Sequence, residues 1–417
     1  MFPGLGARPG PRCPAGLRRV GAALVLLSAL LLPGCDGAQG PDGDAPRAQT
    51  EARDALSSTN TSSPSTSDAS TSDAATPPTL QASEPLPPLE VAGPPPPPDT
   101  RGLDAELVEG AFDLAAALPD LRSLLVARHG ELVREAYPGG ASPARADNVK
   151  SVSKSILSTL VGIAISEGHL EGLDEPVWTH FRDELPADPD PRIREITVEH
   201  LLTMQQGIES TSFGNYGGWV QSGDWVRNKL ARPFVDDPGG RMVYSTGSSH
   251  LLSALLTRAT GESTLAFARR TLFRPMGIDL PAWTRDPAGI YMGGNEMALR
   301  PRDMLAWGEL HRNQGRLGEE ALVDPEWIRA AWTPRTVSAF NGRGYGLGWW
   351  QRSSGGHEVV FARGYGGQYV FIVPALELVV VTTSRPDGPR NRNHDRGIHQ
   401  ILDEWLVPAA ERGAAVD

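Results

Sequence analysis

Apolar positions fall into two rhythms along this chain. Between residues 123 and 137, the β-rich runs Leu124-Leu125-Val126-Ala127 and Leu132-Val133 flank His129-Gly130, which predicts a hairpin turning at the glycine. From 151 to 167 the rhythm changes. Val152, Ile156, Leu157, Leu160, Val161 and Ile163 give this stretch the content of a buried helix, and Gly168 is placed to end it. Residues 198–204, 249–260 and 301–313 read as further helices. Short β-rich runs return at 358–361, 369–373 and 378–383, with Pro374-Ala375 turning between the last two. A hairpin early, helices in the middle and strands late predict an α+β fold whose sheet is built from both chain ends.

The first hundred residues carry no such pattern. Arg8, Arg12, Arg18 and Arg19 precede an apolar run over residues 20–32, too short to span a bilayer, so residues 1–34 read as an export signal. The run ends in Leu32-Pro33-Gly34-Cys35, which resembles a bacterial lipobox. That resemblance implies lipidation at Cys35 and a chain exported and anchored to a bacterial membrane, facing the periplasm or cell exterior. An ordinary signal peptide with a chance cysteine is the alternative. Residues 35–100 are mostly Ser, Thr, Ala, Pro, Asp and Glu and close with Pro94 to Pro98. Such a segment cannot bury enough apolar surface to offset its ordering entropy, and it reads as a disordered tether. A globular domain over 101–412 and a short tail over 413–417 remain.

Charge and cysteine usage narrow the chemistry. The net charge is −11 and no basic patch interleaves with aromatics, which sets nucleic acid aside as a partner. Cys13 and Cys35 are the two cysteines, and Cys13 lies in the export signal. The exported body is left without a disulfide, a thiolate metal site or a cysteine nucleophile. The nine histidines show no ligand spacing, so neither a metal nor another cofactor is expected. Gly-x-Ser-x-Gly is absent.

Lysine is the rare residue. Three lysines stand against 36 arginines, and one of them closes Ser151-Val152-Ser153-Lys154. Arginine keeps its proton at any useful pH, whereas a desolvated lysine can be tuned toward neutrality. Residues three apart on a helix share a face, so the Ser151 hydroxyl and the Lys154 amine can meet. The helix N-terminus and burial of the helix both disfavour the ammonium. A serine nucleophile with a poised base follows. The plainer reading is a helix cap followed by a solvated lysine.

Downstream segments favour the first reading. Ser151-Val-Ser-Lys-Ser155, Gly162-Ile-Ala-Ile-Ser-Glu-Gly168, Ile196-Thr-Val-Glu-His-Leu-Leu-Thr-Met204, Val243-Tyr-Ser-Thr246, Arg302-Asp-Met304, Tyr345-Gly-Leu-Gly-Trp-Trp350 and Gly364-Tyr-Gly-Gly-Gln368 follow in order. Together they resemble the serine hydrolases of the penicillin-binding-protein and β-lactamase-like family, in the branch of class C β-lactamases, esterases and 6-aminohexanoate-dimer hydrolases. The resemblance spans residues 121–383. It implies a β-lactamase/transpeptidase-like fold, with an antiparallel sheet flanked by helices and a separate all-helical lobe.

The same resemblance assigns roles. Tyr244, in Tyr244-Ser245-Thr246, is expected to relay a proton between Ser151, Lys154 and the leaving group, and a phenol beside an ammonium is expected to have a lowered pKa. Thr246 stands where relatives carry Asn or Ser and is a candidate substrate contact. Ala362-Arg363-Gly364 aligns with Lys-Thr-Gly or His-Thr-Gly; the anchoring Lys or His is missing, and Arg363 is the candidate replacement. Gly364 is expected to admit substrate backbone. The Ser151 and Tyr365 amides are the expected oxyanion hole. Tyr216 and Trp219, in the glycine- and aromatic-rich stretch 207–234, are candidate cleft walls, with ordinary packing as the alternative. His250 reads as helix packing.

These assignments predict hydrolysis of a small-molecule ester or simple amide through an acyl-enzyme on Ser151. A peptidoglycan D,D-peptidase or β-lactamase is the second reading, opposed by Ala362. A non-catalytic lipoprotein that binds peptidoglycan or a partner is the third, opposed by the intact Ser151, Lys154 and Tyr244.

Overall fold

The computed structural model describes residues 100–388 and 391–413. The expected export signal, Cys35, the tether and residues 414–417 lie outside them. Among the described residues no helix is long and apolar enough to cross a membrane.

Both chain ends build one antiparallel sheet. The expected hairpin forms β1 (Leu121–Arg128) and β2 (Glu131–Ala136), turning through His129 and Gly130, both at positive φ. Late in the chain come β3 (Thr336–Val337), β4 (Gly344–Tyr345), β5 (Trp350–Ser354), β6 (His357–Gly364), β7 (Gln368–Val373) and β8 (Leu378–Ser384). Their order across the sheet is β2-β1-β8-β7-β6-β5-β4-β3. Strand β1 pairs with β8, in the register Leu125↔Val381 and Ala127↔Val379, so the first and last strands meet in the sheet's interior.

Helices cover both faces, which is why the central strands read as unbroken apolar runs. One face carries Leu125, Val360, Ala362, Val370, Ile372, Val379 and Val381. It packs against α2 (Val152–Ser166) and α4 (Pro301–Arg312), within a helical region that also holds α3 (Thr246–Thr260). The other face carries Leu124, Val126, Phe361, Tyr369, Phe371 and Val380. It is covered by α1 (Ala105–Ala116) and a C-terminal helix that opens with α5 (Arg392–Gln400). Because side chains alternate across a strand, Ala362 and Arg363 point to opposite faces. Ala362 is fully buried on the α2 side.

Candidate active site

Ser151 occupies the N-cap of α2, where the chain bends sharply. Lys150 just before it is left-handed, at φ 52°, and its amide is held by the Asn148 side chain at 2.8 Å. A non-glycine residue in that region is uncommon and strained, and such strain concentrates at functional sites. The Ser153 hydroxyl donates to the Lys150 carbonyl at 2.7 Å and closes the bend. Ser151 caps nothing with its own side chain, so its hydroxyl is left for other partners.

Those partners come from two elements. Lys154, one turn along α2, places Nζ 3.1 Å from Ser151 Oγ. The same amine donates to the Gly294 carbonyl at 2.6 Å and meets Thr246 Oγ1 at 3.4 Å. Tyr244 lies just before α3, its hydroxyl close enough to that of Ser151 to bear on its ionisation. Lys154 Nζ stands 5.2 Å from the centre of the Tyr244 ring, which stacks on Trp350 at 6.0 Å. The structure therefore brings Ser151, Lys154 and Tyr244 together from residues 93 positions apart in sequence.

Lys154 is 3% exposed, and desolvation lowers its pKa from 10.5 to about 7. No carboxylate contributes to that shift. An amine poised there is neutral in about half the molecules near pH 7 and can accept a proton. Tyr244 runs against expectation. Burial raises its pKa above 10, and the Ser151 hydroxyl and the Arg363 charge only partly oppose this. Desolvation penalises a phenolate more than a neighbouring amine of pKa near 7, charged only half the time, stabilises it. Tyr244 therefore enters neutral solution as a phenol.

Two loops hold this arrangement, and neither was visible in the sequence. Gly293 and Gly294 are forced: a Cβ on Gly293 would collide with the Ser249 carbonyl, and one on Gly294 would lie 2.8 Å from Lys154 Cγ. Gly294 also takes φ 89°, which favours glycine. His250, expected to be simple packing, is fully buried with Asp286, its Nε2 2.9 Å from Asp286 Oδ2, and its Nδ1 faces the Gly293 amide at 3.4 Å. It thus braces the loop whose carbonyl holds Lys154. The second loop is bolted to the Tyr244 segment by Ser210 Oγ to the Tyr244 carbonyl (2.6 Å), Ser245 Oγ to the Thr211 amide (3.1 Å) and Ser212 Oγ to the Thr246 amide (2.9 Å).

The remaining expected residues divide. Thr246 is buried, its hydroxyl shared between Lys154 and Ser212 Oγ at 3.0 Å. Tyr216 is half-buried; its hydroxyl accepts from Asn295 Nδ2 at 3.0 Å and touches Met292 S at 3.6 Å, next to the Gly293-Gly294 loop. Trp219 does not wall a cleft. It is 0% exposed, donates its indole N–H to the Trp225 carbonyl and packs against Trp225 and His250, so the aromatic content of this stretch went partly to the core. Gly364 is required, but by the protein itself: a Cβ there would strike the Val149 carbonyl, two residues before Ser151. Arg363 donates to Tyr369 Oη at 2.8 Å and pairs with Asp395 at 3.2 Å, while bordering a cleft with Tyr365, Arg385 and Asp120. The Ser151 and Tyr365 amides have no hydrogen-bond partner among the described residues. No group of metal-ligating side chains occurs among those residues.

Residues 113–403 match the beta-lactamase family. The chain belongs to that family. A 6-aminohexanoate-dimer hydrolase of Paenarthrobacter ureafaciens is 26% identical over 327 residues, covering 69% of this chain and 81% of that one. Among solved structures, a penicillin-binding protein homologue from Caulobacter crescentus superimposes with TM-score 0.59 at 16% identity, over 74% of this chain and 98% of its own. EstCE1, a hydrolase with promiscuous acyltransferase activity, gives TM-score 0.58 at 18% identity, over 73% and 99%. The expected α+β fold is that of the beta-lactamase family, whose members are hydrolases.

Proposed function

We propose that this beta-lactamase family member hydrolyses an ester or simple amide through an acyl-enzyme on Ser151. The observation that carries the reading is the buried Lys154 amine, poised near pH 7 and 3.1 Å from Ser151 Oγ. In the first half-reaction neutral Lys154 accepts the Ser151 proton as Oγ bonds to the substrate carbonyl carbon. The developing oxyanion takes hydrogen bonds from the Ser151 and Tyr365 amides. Tyr244, a phenol, gives its proton to the departing alcohol or amine and is reprotonated through Lys154. In the second half-reaction water attacks the acyl carbon, its proton passes to Lys154, and Ser151 Oγ leaves with a proton as the acid is released. Thr246 and Gly294 hold the amine in line for both steps.

Support comes from two sides. The amide hydrolase of Paenarthrobacter is similar over most of the chain, and the hydrolase EstCE1 shares the fold. Against a penicillin-type substrate stands Ala362, buried where relatives carry a carboxylate-anchoring Lys or His, while Arg363 is engaged by Asp395 and Tyr369. Location belongs to the same proposal: lipidated at Cys35, the enzyme works outside the cytoplasm. The deciding experiment compares p-nitrophenyl acetate with a chromogenic cephalosporin, using the wild type and Ser151→Ala. Ester turnover lost in the variant, with no cephalosporin opening, is the expected result. Ester turnover surviving in Ser151→Ala would overturn the reading.

A further inference from the structure

Two large apolar side chains stand out in solvent beside the reactive hydroxyls. Phe213 is 69% exposed and Phe340 is 76% exposed, yet their rings touch, with centres 5.8 Å apart. They arrive from separate parts of the chain, Phe213 from a short helical turn in the long segment between α2 and α3 and Phe340 from the turn joining β3 to β4. Phe213 also reaches the Tyr244 ring, at 6.4 Å. Single exposed apolar residues are ordinary, whereas a contiguous pair beside reactive hydroxyls is a recognition feature.

The backbone beneath Phe213 is neither loose nor relaxed. Phe213 itself adopts φ 56°, a conformation a bulky residue rarely takes. The three residues before it, Ser210, Thr211 and Ser212, are hydrogen-bonded to the segment 244–247 that carries Tyr244, including Thr211 Oγ1 to the Gly247 amide at 2.7 Å. A strained conformation persists only where the surroundings over-determine it. Here they hold an aromatic ring in water, over the residue that protonates the leaving group. Phe340 is fixed from its own side, where the turn closes through Ser338 and Arg343 and through the Gly342 amide to the Ser338 carbonyl at 2.9 Å.

We propose that Phe213 and Phe340 form a subsite for an apolar leaving group, the alkyl or aryl alcohol of an ester or the corresponding amine of an amide. The assignment rests on the reading of Ser151 and Tyr244 above. The atom that takes the Tyr244 proton lies within hydrogen-bond distance of its hydroxyl, and Phe213 packs 6.4 Å from the same ring, which brings Phe213 within reach of an extended group attached to that atom. An apolar chain covering both rings removes exposed aromatic surface from water, and each buried methylene adds about fourfold in affinity.

The test uses the full chain and two ester series. In the first, acetates of ethanol, butanol, hexanol and octanol vary the leaving group at nearly constant alcohol acidity; in the second, ethyl esters from acetate to octanoate vary the acyl chain. For the wild type, kcat/KM climbs with alcohol length. Phe340→Ala and Phe213→Ala are expected to lower it about tenfold for octyl acetate and less than twofold for ethyl acetate, flattening the first series only. Affinity of Ser151→Ala for octyl acetate, measured by calorimetry, reads the subsite without any chemistry and falls by the same factor on adding Phe340→Ala. Loss confined to the acyl series, or equal loss across both, overturns the assignment, as does unchanged octyl acetate affinity in the double variant. Failure of the catalytic reading shows separately, as absence of Ser151-dependent turnover with that affinity intact.

Discussion

Lys154 and Lys229 are both buried lysines, and they differ in what their amines face. Lys229 is fully buried with a pKa far below 10.5, but its amine donates to the Ile208 and Glu209 carbonyls, at 3.2 and 2.8 Å, which carry no exchangeable proton. Lys154 is as dry, yet faces a hydroxyl. On the proposed mechanism turnover requires its neutral form, so kcat/KM should rise about tenfold per pH unit below 7 and level off above it; a pH–rate profile flat from 5 to 9 would remove Lys154 as base. Lys154→Arg keeps a permanent charge and should lose about a thousandfold in kcat/KM. The same shift bears on stability. A base whose pKa falls from 10.5 to about 7 on folding subtracts stability in full below pH 7, and the penalty vanishes as pH rises through 10.5. Lys154→Met should therefore be more stable than wild type at pH 7, by about 2 kcal/mol once the lost Gly294 hydrogen bond is discounted, and the gap should close in melts at pH 10.

At the scale of elements, the active site is α2 held against two loops, and the loops decide its precision. Gly294→Ala would put a methyl 2.7 Å from Ser249 Cβ and 2.8 Å from Lys154 Cγ, in a residue at φ 89°. Because a displacement near 1 Å costs about a hundredfold in rate, we expect kcat to fall by that order. Circular dichroism and the melting temperature should move little, since the strain is local; a global unfolding would show the loop to be structural first. This contact explains the limits of the sequence. Ser151 and Lys154 are legible because helical spacing brings them together, and Tyr244 because a motif marks it. Gly294 acts through a backbone carbonyl 140 residues from Lys154, and a carbonyl leaves no trace in residue identity. Trp219 failed for another reason: a Gly- and aromatic-rich stretch has one composition whether its rings line a cleft or fill the core. The long strands were legible through their β-branched runs, whereas the two-residue strands β3 and β4, which place Phe340, carry no periodicity to read.

For the whole molecule, every residue of the site falls between Asn148 and Tyr365, yet the sheet beneath them depends on both ends of the domain. Helix α1 illustrates the dependence. Its N-cap Asp104 accepts from the Leu107 amide, and Val108, Ala111, Phe112 and Ala115 are buried on the face opposite the active site. Gly110 has no room for a Cβ because the Trp405 ring of the C-terminal helix lies against it. Two truncations should consequently behave very differently. Cutting at residue 101 removes the stretch whose composition cannot build a core, so kcat/KM for p-nitrophenyl acetate should stay within about twofold of the full chain. Cutting at residue 119 also removes α1 and exposes the apolar face formed by Leu124, Val126 and Phe371. Burying a large apolar side chain contributes about 1.5–3 kcal/mol, and losing several at once exceeds the margin by which most domains are folded. That shorter chain should be insoluble or melt well below the longer one, with activity lost in proportion to folded protein. If instead the cut at 101 abolished turnover while the melting temperature held, the stretch before it would have to contribute directly to catalysis, and the expectation of a mere tether would fail.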